Sequence, residues 1–228
     1  MLDAAVAEAL FPGRAVQRGG RERIEDVTWK IGPLTMTGQK LTLWPLDNFR
    51  RQKRDIRGVI GCELFERYVV TIDYQKRVII LNEPSAFRPD ASASEFRLTF
   101  DGRLPVIPAK LKFGQKSVAA RLMIDTGASQ AVILRFPFAT EHHLFGPDAK
   151  TTTSETVAVG PTPFVTLSAE ELTLGSWTFP NPAVKAYGSP KGAGGYKSTD
   201  GLLGNDVLQH FQVTFDYSRK RIFLEKTR

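Results

Sequence analysis

Apolar and polar positions alternate along much of the chain. Val213, Phe215 and Tyr217 share one parity and Thr214 and Asp216 the other, the period-two pattern of a strand with two unlike faces. Short runs of strand length recur at Ala109–Phe113, Ala119–Ile124, Ala131–Leu134 and Val165–Leu167. Helical periodicity is confined to short pieces. The clearest is Asp3–Leu10, with Asp3 as N-cap and Pro12-Gly13 as its end. Trp29, Trp44 and Trp177 fall within strand patterns and read as core or sheet-face residues. The pattern predicts a mainly β class.

The same pattern occurs twice. Residues 58–81, GVIGCELFERYVVTIDYQKRVIIL, align without gaps to residues 201–224, GLLGNDVLQHFQVTFDYSRKRIFL, at an offset of 143. Eight of the 24 positions are identical, where chance would give about one or two. Each copy reads as a short glycine-bearing strand, a helical turn (Glu63–Arg67 or Asp206–His210), an alternating strand, a polar turn and a last apolar strand. This predicts an internal duplication. Residues 82–96 are rich in Pro, Ser and Ala and read as a joint. The division expected is a first lobe at 1–87, a linker at 88–96 and a second lobe at 97–228.

Composition narrows the classes. Fourteen prolines and nineteen glycines fit many short elements and turns. No apolar run reaches eighteen residues, so no membrane span is expected. The N-terminus has no basic region followed by a long apolar stretch, so it does not read as a signal peptide. Cys62 is the single cysteine, which excludes a disulfide within the chain and a thiolate metal cluster. The sequence as written fits the cytoplasm, and a longer N-terminus would turn that toward the periplasm or secretion. The formal charge of +7 falls to +3 without Arg50, Arg51, Lys53, Arg54, Asp55 and Arg57. No aromatics interleave with these basic residues, so they read as a solvated loop and no nucleic-acid partner is expected.

The candidate chemistry lies at residues 117–134, SVAARLMIDTGASQAVIL. An apolar strand runs into Asp125-Thr126-Gly127 and a second apolar strand follows. Alone, Asp-Thr-Gly reads equally well as a turn. Here Ala128-Ser129 follows it, and Gly201-Leu202-Leu203-Gly204 comes 76 residues downstream with a helix and strands behind it. Together these residues resemble the aspartic protease family, in particular its retropepsin-like and pepsin-like branches. The resemblance implies a two-lobed pepsin/retropepsin-like acid protease fold and an aspartic endopeptidase acting on a peptide or protein substrate without a cofactor. It implies Asp125 as a catalytic carboxylate, supported by Thr126, Gly127, Ser129, Gly201 and Gly204. It further implies hairpin flaps, for which Glu155–Thr166 with Gly160-Pro161, and Arg18–Asp26 with Gly19-Gly20, are the candidates.

Such an enzyme uses two aspartates sharing one proton, because two close like charges cannot both ionise. The first half has no matching Asp-Thr-Gly or Asp-Ser-Gly. It opens on Met1-Leu2-Asp3-Ala4-Ala5, which resembles the segment just after such a motif. Three expectations follow: a chain shortened at its N-terminus, a homodimer that brings two Asp125 together, or a peptide-binding module without catalysis. Other chemistries fit less well. Gly127-Ala128-Ser129-Gln130-Ala131 lacks the last glycine of a nucleophile elbow. His142, His143 and His210 read as surface positions, and no metal-ligand spacing surrounds them. Gly192-Ala193-Gly194-Gly195 lacks the Lys-Ser/Thr of a phosphate loop and reads as a flexible loop.

Overall fold

The computed structural model describes residues 1–47, 49, 55–147, 149–156 and 160–226. Arg50, Arg51, Lys53 and Arg54 of the basic segment, and residues 157–159 of the Glu155–Thr166 flap candidate, lie outside the described residues. The chain packs as two units, Met1–Gly61 with Glu155–Gly160, and Cys62–Ser154 with Pro161–Arg228. The packing division therefore runs between Gly61 and Cys62, and residues 62–87 group with the second half of the chain.

In the first unit, β1 (Leu2–Asp3) leads into α1 (Ala4–Leu10), followed by β2 (Val16–Arg18), β3 (Arg21–Ile31) and β4 (Leu34–Trp44), in the sheet order β1-β4-β3-β2. Asp3 caps α1 as the sequence predicts: its Oδ1 accepts from the Val6 amide at 3.2 Å. Its Oδ2 accepts from the Leu46 amide at 2.9 Å, so this fully buried carboxylate is held by main-chain donors. β2 and β3 are joined by Gly19-Gly20, both at positive φ, the two-residue turn whose twist suits a hairpin. The Arg18–Asp26 candidate is thus a hairpin turn. Ala7, Ile24, Val27 and Leu43 form this unit's core.

The second unit opens with α2 (Cys62–Arg67), β5 (Val69–Asp73) and β6 (Val78–Asn82). Next come β7 (Ser94–Arg97), β8 (Thr99–Asp101), β9 (Leu104–Phe113), β10 (Lys116–Ile124), β11 (Val132–Leu134) and α3 (Phe136–Glu141). After these, β12 (Thr151–Thr156) and β13 (Gly160–Ser168) carry the segment that groups with the first unit. β14 (Glu171–Leu174), β15 (Trp177–Pro180), β16 (Ala183–Tyr187), β17 (Gly201–Leu203), α4 (Asn205–Leu208), β18 (Phe211–Asp216) and β19 (Arg221–Lys226) complete it. The class is mainly β, as the alternation predicts. Ten strands, β8 to β17, form one sheet, and five form another in the order β6-β5-β18-β19-β7. Phe211, Val213, Phe215, Ile222 and Leu224 pack with Leu122, Leu134 and Leu203 in the main core. The end of the expected linker is itself structured, since Ser94–Arg97 pairs with β19. α3 was not legible in the sequence. It follows a strand with no polar cap, and Pro137 in its first turn is the sign that marks it.

The two sequence copies meet each other. β5 and β18 pair antiparallel with Thr71 opposite Thr214, the residues related by the 143-residue offset. Their hydroxyl oxygens lie 2.8 Å apart, both buried. Each copy ends its strand in the same way: Asp73 Oδ1 accepts from the Lys76 amide, and Asp216 Oδ1 from the Arg219 amide. The glycine-bearing strands differ. Gly201–Leu203 is flanked on both sides, by β10 and β11, whereas Gly58 makes a single bridge to Leu2.

The threonine pair gives a stability prediction. Thr71→Val leaves the Thr214 hydroxyl buried without its partner and should cost about 2 kcal/mol, and Thr214→Val should cost about the same. The double variant removes both hydroxyls and should cost far less than the sum of the two, about 1 kcal/mol or below. Urea unfolding of the four proteins checks this, and strict additivity would show that the hydroxyls do not depend on each other.

Candidate active site

Asp125 stands one residue past the end of β10, on a loop the sheet holds from two sides. β17 runs parallel to β10 (Leu122↔Gly201 to Ile124↔Leu203) and antiparallel to β11 (Val132↔Leu203 to Leu134↔Gly201). It is therefore threaded between the strand that enters the loop and the strand that leaves it. The Asp125 amide donates to the Leu203 carbonyl at 2.9 Å, and the Gly204 amide to the Ala131 carbonyl at 3.0 Å. Within the loop, the Gly127 amide donates to Asp125 Oδ1 at 2.9 Å and the Ala128 amide to the Asp125 carbonyl at 3.1 Å. One carboxylate oxygen is thus fixed by a main-chain donor, which orients the group.

The supporting glycines are required by space. A Cβ on Gly201 would lie 2.6 Å from the Ile133 carbonyl oxygen and 3.1 Å from Leu134 Cα. A Cβ on Gly204 would overlap the Gln130 carbonyl oxygen and approach that of Ala128 at 2.8 Å. These obstacles are backbone and cannot swing aside. The structure places Gly127, Gly201 and Gly204 around Asp125. Thr126 and Ser129 are exposed, and among the described residues no hydrogen bond joins either side chain to Asp125. The Thr126 carbonyl, rather than its hydroxyl, makes the bracing contact.

That contact comes from Asn205, the first residue of α4. Asn205 Nδ2 donates to the Thr126 carbonyl at 2.6 Å, and the Asn205 amide donates to the Ala128 carbonyl at 2.8 Å. Its Oδ1 accepts from the Tyr74 hydroxyl at 2.8 Å. Burial pushes the Tyr74 hydroxyl up to about 12, so it stays a donor across the ordinary pH range. Tyr74 belongs to the first sequence copy, so that copy helps to brace the loop.

Arg135 was also missed. It directly precedes α3, is almost fully buried, and donates from Nη1 to the Ala193 carbonyl at 2.6 Å. Its guanidinium lies over the rings of Tyr187 and Tyr196, 5.4 and 5.3 Å from their centroids. The glycine-rich stretch at 192–195 is therefore one anchored helical turn, with Gly194 buried, rather than a loose loop. Burial pushes the Tyr187 hydroxyl up. Arg135 opposes that rise and the charge of Asp125 adds to it, so Tyr187 lies within the field of the site. The remaining sequence candidates sit elsewhere. Gly160, at positive φ, begins β13, with Pro161 next to it. His142 packs on the Phe138 ring at 4.4 Å, and His143 is exposed. A concavity of about 410 Å³ is lined by Thr71, Thr214 and Phe223 of the five-stranded sheet among others, but by no residue of the Asp125 loop.

No second carboxylate is hydrogen-bonded to Asp125 among the described residues. The loop by itself offers one oriented carboxylate, one base for water, and no acid to protonate a scissile carbonyl.

Comparison with known proteins bears on this geometry. The sequence profile of the aspartyl protease family matches residues 107–207, from β9 through the start of α4. No curated protein sequence matches the chain. Among solved structures it is similar to a retropepsin-like aspartic protease from Rickettsia conorii, at 23% identity over 59% of this chain and 100% of that one, with a TM-score of 0.42. It is also similar to the aspartic proteinase from Irpex lacteus, at 15% identity over 93% and 80% of the two chains, with a TM-score of 0.49. Basic 7S globulin from soybean aligns at 16% identity over 90% and 68%, with a TM-score of 0.42. The region similar to the aspartyl protease family, residues 107–207, contains the Asp125 loop, both strands that flank β17 and the two glycines that let it pass.

Proposed function

We propose that Asp125 is one half of an aspartic endopeptidase site whose other half is a carboxylate that the described residues do not place beside it. The observation that carries this is the loop itself: a carboxylate oriented by the Gly127 amide, at the end of a strand, inside the region matched by the family. In the completed site the ionised member of the pair takes a proton from a water molecule. That water attacks the peptide carbonyl carbon while the protonated member gives its proton to the carbonyl oxygen. On collapse the C–N bond breaks, one hydroxyl of the tetrahedral adduct returns its proton to the ionised member, and the protonated member gives its proton to the departing amine, so the pair ends as it began with one shared proton. Asp125 alone can perform only the first half of this exchange. Thr126, Gly127 and Asn205 serve as positioning residues, and Ser129 lies in the same loop.

A second copy of this chain is one source of the missing carboxylate, with two Asp125 residues meeting across a two-fold axis. Hydrolysis of a denatured protein substrate, followed against protein concentration, tests this. The expected result is background cleavage from dilute monomer and a rate that rises with the square of concentration where dimer is scarce. A monomer that cleaves at a rate strictly proportional to its concentration would remove the two-copy form of the proposal. The lack of a bonded second carboxylate favours one further reading, a module that holds extended peptides without cutting them. Binding of a peptide with no turnover at any protein concentration would support it.

A further inference from the structure

The chain between β16 and β17 is fastened to one residue. Residues 188–200 leave one strand of the ten-stranded sheet and return by another. Gly194 and Gly195 let this segment fold back on itself, since a Cβ on either would overlap the carbonyl oxygen of Ser189 or Pro190. Its shape is thus local, but its place on the sheet is not. Arg135 holds it at three points. The Arg135 amide donates to the Asp200 carbonyl at 2.8 Å, Nη1 donates to the Ala193 carbonyl, and the guanidinium lies over the Tyr196 ring. Arg135 is only 5% exposed, its Nε is buried without a hydrogen-bond partner, and no Asp or Glu pairs with it among the described residues. Its charge is offset by a carbonyl and by ring faces alone. Loosening any of them leaves a buried cation with fewer partners, so the segment is held tightly.

What the segment is held against lies beside Asp125. Ala193 packs in one cluster with Met123, Ala128 and Phe136, together with Tyr187 and Leu202. Leu122, Ile124 and Leu203, which alternate with Met123 and Leu202 along their strands, belong to the main core on the other face of the sheet. Ala128 is part of the Asp125 loop, and Met123 stands two residues before Asp125. Met123, Ala128, Phe136 and Ala193 are each only partly buried, so an apolar patch stays open next to the oriented carboxylate. We propose that Arg135 is a positioning residue for specificity: by holding residues 188–200 against this patch, it sets the wall that receives an apolar side chain of a peptide, next to the bond Asp125 acts on. Arg135 touches no substrate in this arrangement and acts through Ala193 and Tyr196. Lysine is no substitute, because a single ammonium cannot both stack on a ring and hold the carbonyl with a planar fork. The proposal rests on the reading of Asp125 as half of a peptidase site, but peptide binding tests it without cleavage.

Two fluorescein-labelled octapeptides of alanine and serine, one with Phe and one with Ala at a central position, serve as probes. Binding is measured by anisotropy to the Asp125→Asn protein, which cannot consume them. The expected result is a preference of about tenfold for the Phe peptide. Arg135→Gln in the same background should reduce it to about threefold or less, and Tyr196→Leu should do the same. Tyr196→Phe keeps the ring under the guanidinium and should keep the preference. Tyr196 is 57% exposed, so its variants probe the same contact in a protein whose melting temperature is preserved, even where Arg135→Gln lowers it. In hydrolysis by the assembled protein with Asp125 intact, Arg135→Gln should raise KM for the Phe peptide about tenfold and change kcat less than about threefold. Absence of cleavage by the parent would count against the reading of Asp125 alone, and the binding preference would still decide the role of Arg135. Equal affinity for the two peptides, or no binding of either up to about 1 mM, overturns the proposal. So does a preference that survives both Arg135→Gln and Tyr196→Leu, or a loss of affinity equal for both peptides, which marks a merely structural arginine.

Discussion

Gly204→Ala should lower the melting temperature by about 10 °C, a loss of about 3 kcal/mol for a chain of this size, and Gly201→Ala should do nearly as much. Neither glycine lies at positive φ, so the cost is steric. The added methyl at 204 would enter space held by the Gln130 and Ala128 carbonyl oxygens, and at 201 space held by that of Ile133. Stiffening the unfolded chain by Gly→Ala returns only about 0.4–1 kcal/mol, so the overlap wins. Ala128 and Gln130 belong to the loop between Asp125 and β11 and Ile133 to β11 itself, and any relief moves β17 away from its partners. Gly114→Ala is the control. That glycine is at positive φ in open space, so its cost should be the conformational one alone, about 1 kcal/mol. Calorimetry of the three variants checks the order. An unchanged melting temperature for Gly204→Ala would mean that β17 is not threaded as described.

What the sequence reveals about this site follows from how far apart its parts are. The Asp-Thr-Gly loop and the glycines at the start of β17 and just after it are single-residue requirements in short contiguous motifs, and they are legible directly. So is the cap at Asp3, where donor and acceptor are three residues apart. Asn205 is different. An asparagine before a short helix reads as a helix start, and nothing local says that its amide reaches Thr126, 79 residues away, and Tyr74, 131 residues away. Arg135 is opaque for the same reason: an arginine after a strand reads as exposed, and the two tyrosines that cover it arrive from distant segments. The repeat predicts the elements of each copy but not their pairing. That β5 joins β18, with Thr71 against Thr214, is a tertiary choice set by burying both hydroxyls together. The division of the chain is hidden for a related reason. Residues 62–81 match their later copy in sequence, yet they spend their apolar faces on the second unit, so packing places the division at Gly61.

Asp125→Asn should bring peptide hydrolysis by the assembled protein to background, a loss of about 10⁴-fold or more. The amide keeps the size of the carboxylate and can still accept from the Gly127 amide, so the loop is expected to hold its shape. What it cannot do is take a proton from water. Folding and activity therefore separate: the variant should melt within about 2 °C of the parent while its rate disappears. Mixing then identifies the source of the second carboxylate. If two copies share one site, an equal mixture of parent and Asp125→Asn that has exchanged freely contains about one quarter parent–parent pairs, and activity should fall to about one quarter. If each chain completes its site with another group, the mixture should keep about one half. Retention of full activity by Asp125→Asn alone would remove Asp125 from the chemistry and, with it, the aspartic mechanism for this chain.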